Sequence, residues 1–152
     1  SIGPFFLCFS LAAILTRFVT GDASDKHGRK IVILPSALII AANLIFLSQV
    51  RTLPALMVGG FIGGFGQGLI YPALNAYLID LLGLENKGLA ISLYLSLFDV
   101  GMGLGLPFYG LLADLSGYRM MYIFAAVLLT LATIVFMIKA PSTDSLAKSK
   151  KE

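Results

Sequence analysis

The sequence predicts an all-α integral membrane protein with five transmembrane helices, and three observations carry that reading. Charged residues make up only 12% of the 152 residues and hydrophobic ones 58%, so the chain has about half the charge a soluble domain uses to cover its surface. Mean hydropathy over the chain is +0.92. The apolar residues are blocked: Ile31 to Val50, Thr52 to Ile79 and Met120 to Ile138 contain no Asp, Glu, Lys or Arg over 20, 28 and 19 residues. Each is long enough to cross a hydrocarbon layer of roughly 30 Å at about 1.5 Å per residue.

Span 1, about 2–20, is apolar from Ile2 to Thr16 and then meets Arg17. It lacks the basic start and small-residue cleavage site of a signal peptide, and the chain opens at Ser1 rather than Met. It therefore reads as cut from a longer sequence. Span 2 covers 31–50 and span 3 covers 53–79. Span 4, 88–113, is apolar except for Asp99, and span 5 covers 119–138. Residues 1–140 thus form a helical bundle in a lipid bilayer, and 141–152 form a basic tail rich in Ser and Lys. The segment from Arg17 to Lys30 is a charged loop, and nine of the eleven Lys and Arg residues fall in it, in the loop between spans 3 and 4 or after Ile138. The positive-inside rule then puts the start of the chain outside and the tail in the cytoplasm of a plasma (inner) membrane.

The remaining composition excludes other classes. The basic residues form no folded face, so nucleic acid is no partner. Cys8 is the one cysteine, so no intrachain disulfide exists, and the one histidine, His27, has no ligand cluster around it. No metal or cofactor is implied.

Glycine content separates the spans. Spans 2 and 5 have none, span 3 has six and span 4 has five. Small residues let helix backbones approach. Spans 3 and 4 are therefore the interior helices, packed through Gly60 and Gly64 and through Gly101 and Gly105, and lipid faces spans 2 and 5. Span 3 also aligns Gly60, Gly64, Gln67, Tyr71 and Asn75 on one stripe at helical spacing. Pro72 beside it leaves the Gly68 carbonyl without its helical donor. Two readings stay open: Gln67, Tyr71 and Asn75 line a substrate pathway, or they bond to neighbouring helices. Asp99, with Ser92 and Ser96 on its face, is costly when ionised, by roughly 2.5–3.5 kcal/mol. Protonation removes that cost, which makes Asp99 the candidate for proton coupling; a carboxyl bonded to nearby hydroxyls is the other reading.

A short repeat links the two halves of the chain. Gly21, Asp25 and Gly28 recur at the same spacing as Gly110, Asp114 and Gly117, three spans later and on the other side of the membrane. A three-helix unit repeated with inverted orientation has that property, and it predicts a further helix before Ser1.

The run Gly21-x-x-x-Asp25-Lys26-x-Gly28-Arg29-Lys30 resembles the signature loop of the major facilitator superfamily, G-x-L-x-D-R-x-G-R-K, with Ala23 and Lys26 as mild departures. The resemblance extends through Tyr71-Pro72-Ala73-Leu74-Asn75 and Phe98-Asp99-Val100-Gly101. It implies part of a six-helix half of that fold. The amino-terminal half of drug/proton antiporters has an Arg where Gly64 stands and a Gly-Pro pair where Gly105-Leu106-Pro107 stands. The spans are therefore similar to helices eight to twelve, and an amino-terminal half is the missing partner. The resemblance further implies that Asp25 faces the start of span 4, that Arg29 pairs with Asp80, and that these contacts form a gate together with Gly21, Lys26, Gly28 and Lys30. The expected function is proton-coupled antiport, efflux of small molecules by alternating access. Rival readings are a sugar or metabolite importer of the same fold and a non-transporting membrane subunit or assembly scaffold. An enzyme is not expected, since no span contains a histidine or a nucleophile paired with a base.

Overall fold

The computed structural model describes the backbone of residues 3–27 and 29–141 and the side chains of 3–17 and 29–141. No strand occurs among the described residues. Helix α1 is Gly3–His27, α2 is Arg29–Leu47 and α3 is Leu53–Leu82. After a 3-10 turn at Leu84–Asn86, a helical run of 53 residues, Lys87–Lys139, is broken at Gly117. There φ is 81° and ψ 159°, a conformation that glycine takes without strain and other residues do not. We number the two parts α4 (87–116) and α5 (118–139).

The first departure from expectation is the charged segment. It is not a loop: α1 runs on to His27 and α2 starts at Arg29. Nothing between Arg17 and His27 breaks a helix, since the stretch holds no proline and charged side chains are compatible with a helix end that leaves the membrane. Three helices are each long and apolar enough to cross a membrane: Arg29–Leu47, Leu53–Leu82 and the 56-residue stretch Leu84–Lys139 that contains Gly117. Gly3–Arg17 is a shorter apolar helix. The described residues thus show three such helices where five spans were expected.

Packing fixes the helix directions. A Cβ on Gly60 would stand 2.7 Å from the Phe5 carbonyl oxygen, Gly64 abuts the backbone of Phe9, and a Cβ on Gly68 would stand 2.8 Å from the Ala13 carbonyl oxygen. Both sets advance by four, so α1 and α3 run parallel in near-backbone contact. Along α2 the order reverses. Gly59 meets Leu47, Gly63 meets Asn43 and Gly66 meets Ile40, so α2 lies antiparallel to α3. Helices α4 and α5 form a hairpin, with Phe108 and Phe124 rings 5.8 Å apart. The α3 end returns to α5 in a small core of Ile33, Ala73 and Tyr77 against Phe136 and Ala140. At the opposite end Arg51 and Arg119 line one cleft of about 330 Å³ with Ser48, Gln49 and Val50.

Two helices depart from what their glycine content predicts. Span 2 does not simply face lipid: α2 buries Ile33, Ser36, Ala37, Ala41 and Asn43. Alanine and serine are small enough to do there what glycine does on α3. Span 4 is not interior within this chain. Ala90 is the one buried residue of α4, a Cβ on Gly101 would meet nothing within 4 Å, and one on Gly105 would reach only its own neighbour Tyr109 at 4.0 Å. Buried hydroxyls on the packed helices bond within their own helix, Thr16 to the Ala12 carbonyl at 2.6 Å and Ser36 to that of Val32 at 2.6 Å, which removes the cost of burying them.

Candidate functional site

The chemistry-bearing residues collect at two levels of the bundle. At the first, where α2 starts and where α3 and α5 end, Arg29 Nε donates to Asp80 Oδ2 at 3.0 Å, with the two side chains 19% and 31% exposed. Lys30 Nζ donates to the Ala140 carbonyl and sits 5.9 Å from the centre of the Phe136 ring. Tyr77 donates its hydroxyl to the Pro141 carbonyl at 2.9 Å. These contacts supply donors to carbonyls at and just after the α5 terminus, where helical partners run out. Tyr77→Phe is expected to lower stability by about 1 kcal/mol, read as a drop in the midpoint of thermal unfolding of the detergent-solubilised protein. The side chains of Gly21, Asp25, Lys26 and Gly28, and the tail beyond Pro141, lie outside the described residues.

The second level lies deeper, around Tyr71. Gly60 and Gly64, on the same α3 stripe, are consumed by the α1 crossing, whereas Gln67, Tyr71 and Asn75 are half-buried. Among the described residues neither Gln67 nor Asn75 makes a side-chain hydrogen bond to another helix, and Asn75 Oδ1 is buried with no partner. The Tyr71 ring is met edge-on by Tyr94 at 5.1 Å and Phe98 at 6.1 Å, both from α4. The Arg17 guanidinium lies 5.8 Å from its centre. Asp99 follows Phe98 on α4; it is exposed, as are Ser92 and Ser96. Among the described residues Asp99 has no ion-pair or hydrogen-bonding partner, and neither Ser92 nor Ser96 bonds to it.

Arg17, Tyr94 and Phe98 join this level without being expected there. Arg17 reads as the marker where an apolar run stops. It stands instead inside α1, ten residues before the helix ends, or about 15 Å along the axis. The spacing of Tyr94 and Phe98, four apart on one helix face, was the available signal for the other two. No group of three or more His, Cys, Asp or Glu that could hold a metal occurs among the described residues.

The family model for the Major Facilitator Superfamily matches residues 1–152, the whole chain. This chain belongs to the major facilitator superfamily. Members of this superfamily are multi-pass membrane transporters of small molecules rather than enzymes. Superfamily relatives include "Multidrug resistance protein 1" of Bacillus subtilis, 24% identical over 89% of this chain and 34% of that protein. "Staphylopine export protein" of Staphylococcus aureus is 27% identical over 92% of this chain and 36% of that protein. "Solute carrier family 2, facilitated glucose transporter member 10" of Homo sapiens is 30% identical over 92% and 26%. The chain thus spans about a third or less of the length of these relatives. No solved structure matches it.

Proposed function

We propose that this chain is the carboxy-terminal half, helices eight to twelve, of a proton-coupled exporter of small molecules that works by alternating access. Five helices cross the bacterial plasma membrane, with the start of the chain outside and the tail in the cytoplasm. Gln67, Tyr71 and Asn75 line the substrate pathway, Asp99 carries the coupling proton, and an amino-terminal half forms the opposite wall. The observation that carries the reading is the Arg29–Asp80 ion pair, which ties the start of α2 to the end of α3 at 3.0 Å. Gly21, Asp25, Lys26, Gly28 and Lys30 complete this gate. A charge-assisted bond that is made in one state and broken in the other is a two-state latch.

The latch is tested in proteoliposomes holding the full-length protein. Arg29→Ala and Asp80→Asn are each expected to lower substrate flux about tenfold, a change worth about 1.4 kcal/mol, and the exchanged pair Arg29→Asp with Asp80→Arg to recover part of it. Wild-type flux in both single variants overturns the latch. The similarity to a facilitated glucose transporter, at 30% identity over 92% of the chain, supports a second reading, a sugar or metabolite importer. Sugar uptake that persists after the proton gradient is collapsed decides for it.

A further inference from the structure

Among the described residues, no carboxylate balances the charge of Arg17. A guanidinium stays protonated under all physiological conditions, and placing it in the hydrocarbon region is costly unless a polar partner receives it. Its companion Tyr71 stands nine residues before Asp80, about 13 Å inward along α3, and Tyr94 stands seven residues after Lys87, about 10 Å inward along α4. The cluster therefore sits well inside the ring of charged residues at that end of the bundle. That leaves the guanidinium without an ion-pair partner among the described residues, and the Arg17 side chain is exposed.

What surrounds the guanidinium narrows the ligand. One contact is the Tyr71 ring at 5.8 Å, a cation–π arrangement that uses the ring's negative face and makes no claim on the N–H donors. Those donors form a planar fork that matches a carboxylate in bidentate geometry. Tyr94 and Phe98 extend the aromatic wall beyond Tyr71. An anionic head on Arg17 with a flat apolar body against this wall satisfies both halves of the site. One turn further along α3, the unpartnered buried Asn75 Oδ1 offers an acceptor to a ligand N–H or O–H.

The geometry points to Arg17, Tyr71, Tyr94 and Phe98 as an anion-selective substrate subsite that takes small amphipathic molecules bearing a carboxylate on an aromatic or other flat apolar body. This deepens the transporter reading and rests on it for the word substrate; the binding site itself does not depend on coupling.

The test uses the full-length transporter in nanodiscs, with binding of 1-naphthoate, the neutral 1-naphthamide and the cationic 1-naphthylmethylamine followed by naphthalene fluorescence. The expected result is at least tenfold tighter binding of 1-naphthoate than of either analogue. Arg17→Gln removes that preference while 1-naphthamide binding stays within about twofold. Arg17→Lys, which keeps the charge and loses the fork, retains part of it. Equal binding of acid and amide to the wild type overturns the assignment, as does a preference that survives Arg17→Gln in a monodisperse protein. Phosphatidylcholine and phosphatidylglycerol discs separate substrate from lipid. Affinity for 1-naphthoate is expected to agree within twofold between them, whereas displacement by phosphatidylglycerol that vanishes in Arg17→Gln assigns the guanidinium to a lipid headgroup and overturns the substrate subsite. Carboxylate-selective binding without proton-driven flux would sink the exporter reading and leave the anion site standing; flux without carboxylate selectivity would do the reverse.

Discussion

Gly64→Leu is expected to abolish assembly of the bundle, with no monodisperse full-length protein recovered from membranes. Gly64 lies against the Phe9 backbone, and a side chain there overlaps the carbonyl and Cα of that residue. A flexible side chain can turn away; backbone cannot. The two helices would have to separate along their length, and Gly60 against Phe5 and Gly68 against Ala13 would lose their contacts as well. Overpacking in a core costs about 1–3 kcal/mol where neighbours can adjust; here they cannot, and an effect above about 4 kcal/mol is expected. Leu128→Ala, on the exposed side of α5, serves as the control and should shift stability by less than about 0.5 kcal/mol. Wild-type yield and thermal midpoint for Gly64→Leu would show that α1 and α3 do not cross at this point.

Asp99→Asn is expected to eliminate substrate movement driven by an imposed pH gradient, a loss of at least about a hundredfold, while exchange of labelled for unlabelled substrate continues. Asparagine has nearly the same shape and can accept hydrogen bonds, so the fold is retained; it cannot take up or release a proton. Because no described residue bonds to the Asp99 carboxylate, the substitution breaks no contact seen within this chain. Proteoliposomes with an outward or inward proton gradient separate coupling from exchange. Gradient-driven accumulation that survives in Asp99→Asn removes this residue from the coupling mechanism.

The helices were legible in the sequence because uncharged runs of 19 to 28 residues leave few alternatives. That α3 carries a close-packing stripe was legible from its glycines at steps of four, but the partner was not: span 4 is the expected one, and α1 is the helix that meets them. Three things were not, for separate reasons. Glycine is only one of the residues small enough for close packing, so glycine content hides the part that Ser36, Ala37 and Ala41 play on α2 and overrates α4, whose Gly101 meets nothing in this chain. A cluster of charges suits a loop and a solvent-exposed helix end equally, which hides the helix that carries α1 ten residues past Arg17. The Arg17–Tyr71 pairing required knowing that α1 and α3 run parallel and in register, and a hydropathy pattern carries no information about which helices touch. Gly117, by contrast, was marked by the repeat, in which it corresponds to Gly28, and it is where α4 stops and α5 begins.

The break at Gly117 has a mechanical consequence. A joint of one residue spans at most about 3.5 Å when fully extended, so it gives α4 and α5 almost no slack. If α4 slides along its axis by more than that distance, α5 has to follow. The far end of α5 is fastened by Lys30 to Ala140 and by Tyr77 to Pro141, beside Arg29 and Asp80. A shift of α4 near Asp99 is therefore carried around the Gly117 turn to the far end of α5, back at the end of the bundle where α4 begins, with no loop to absorb it.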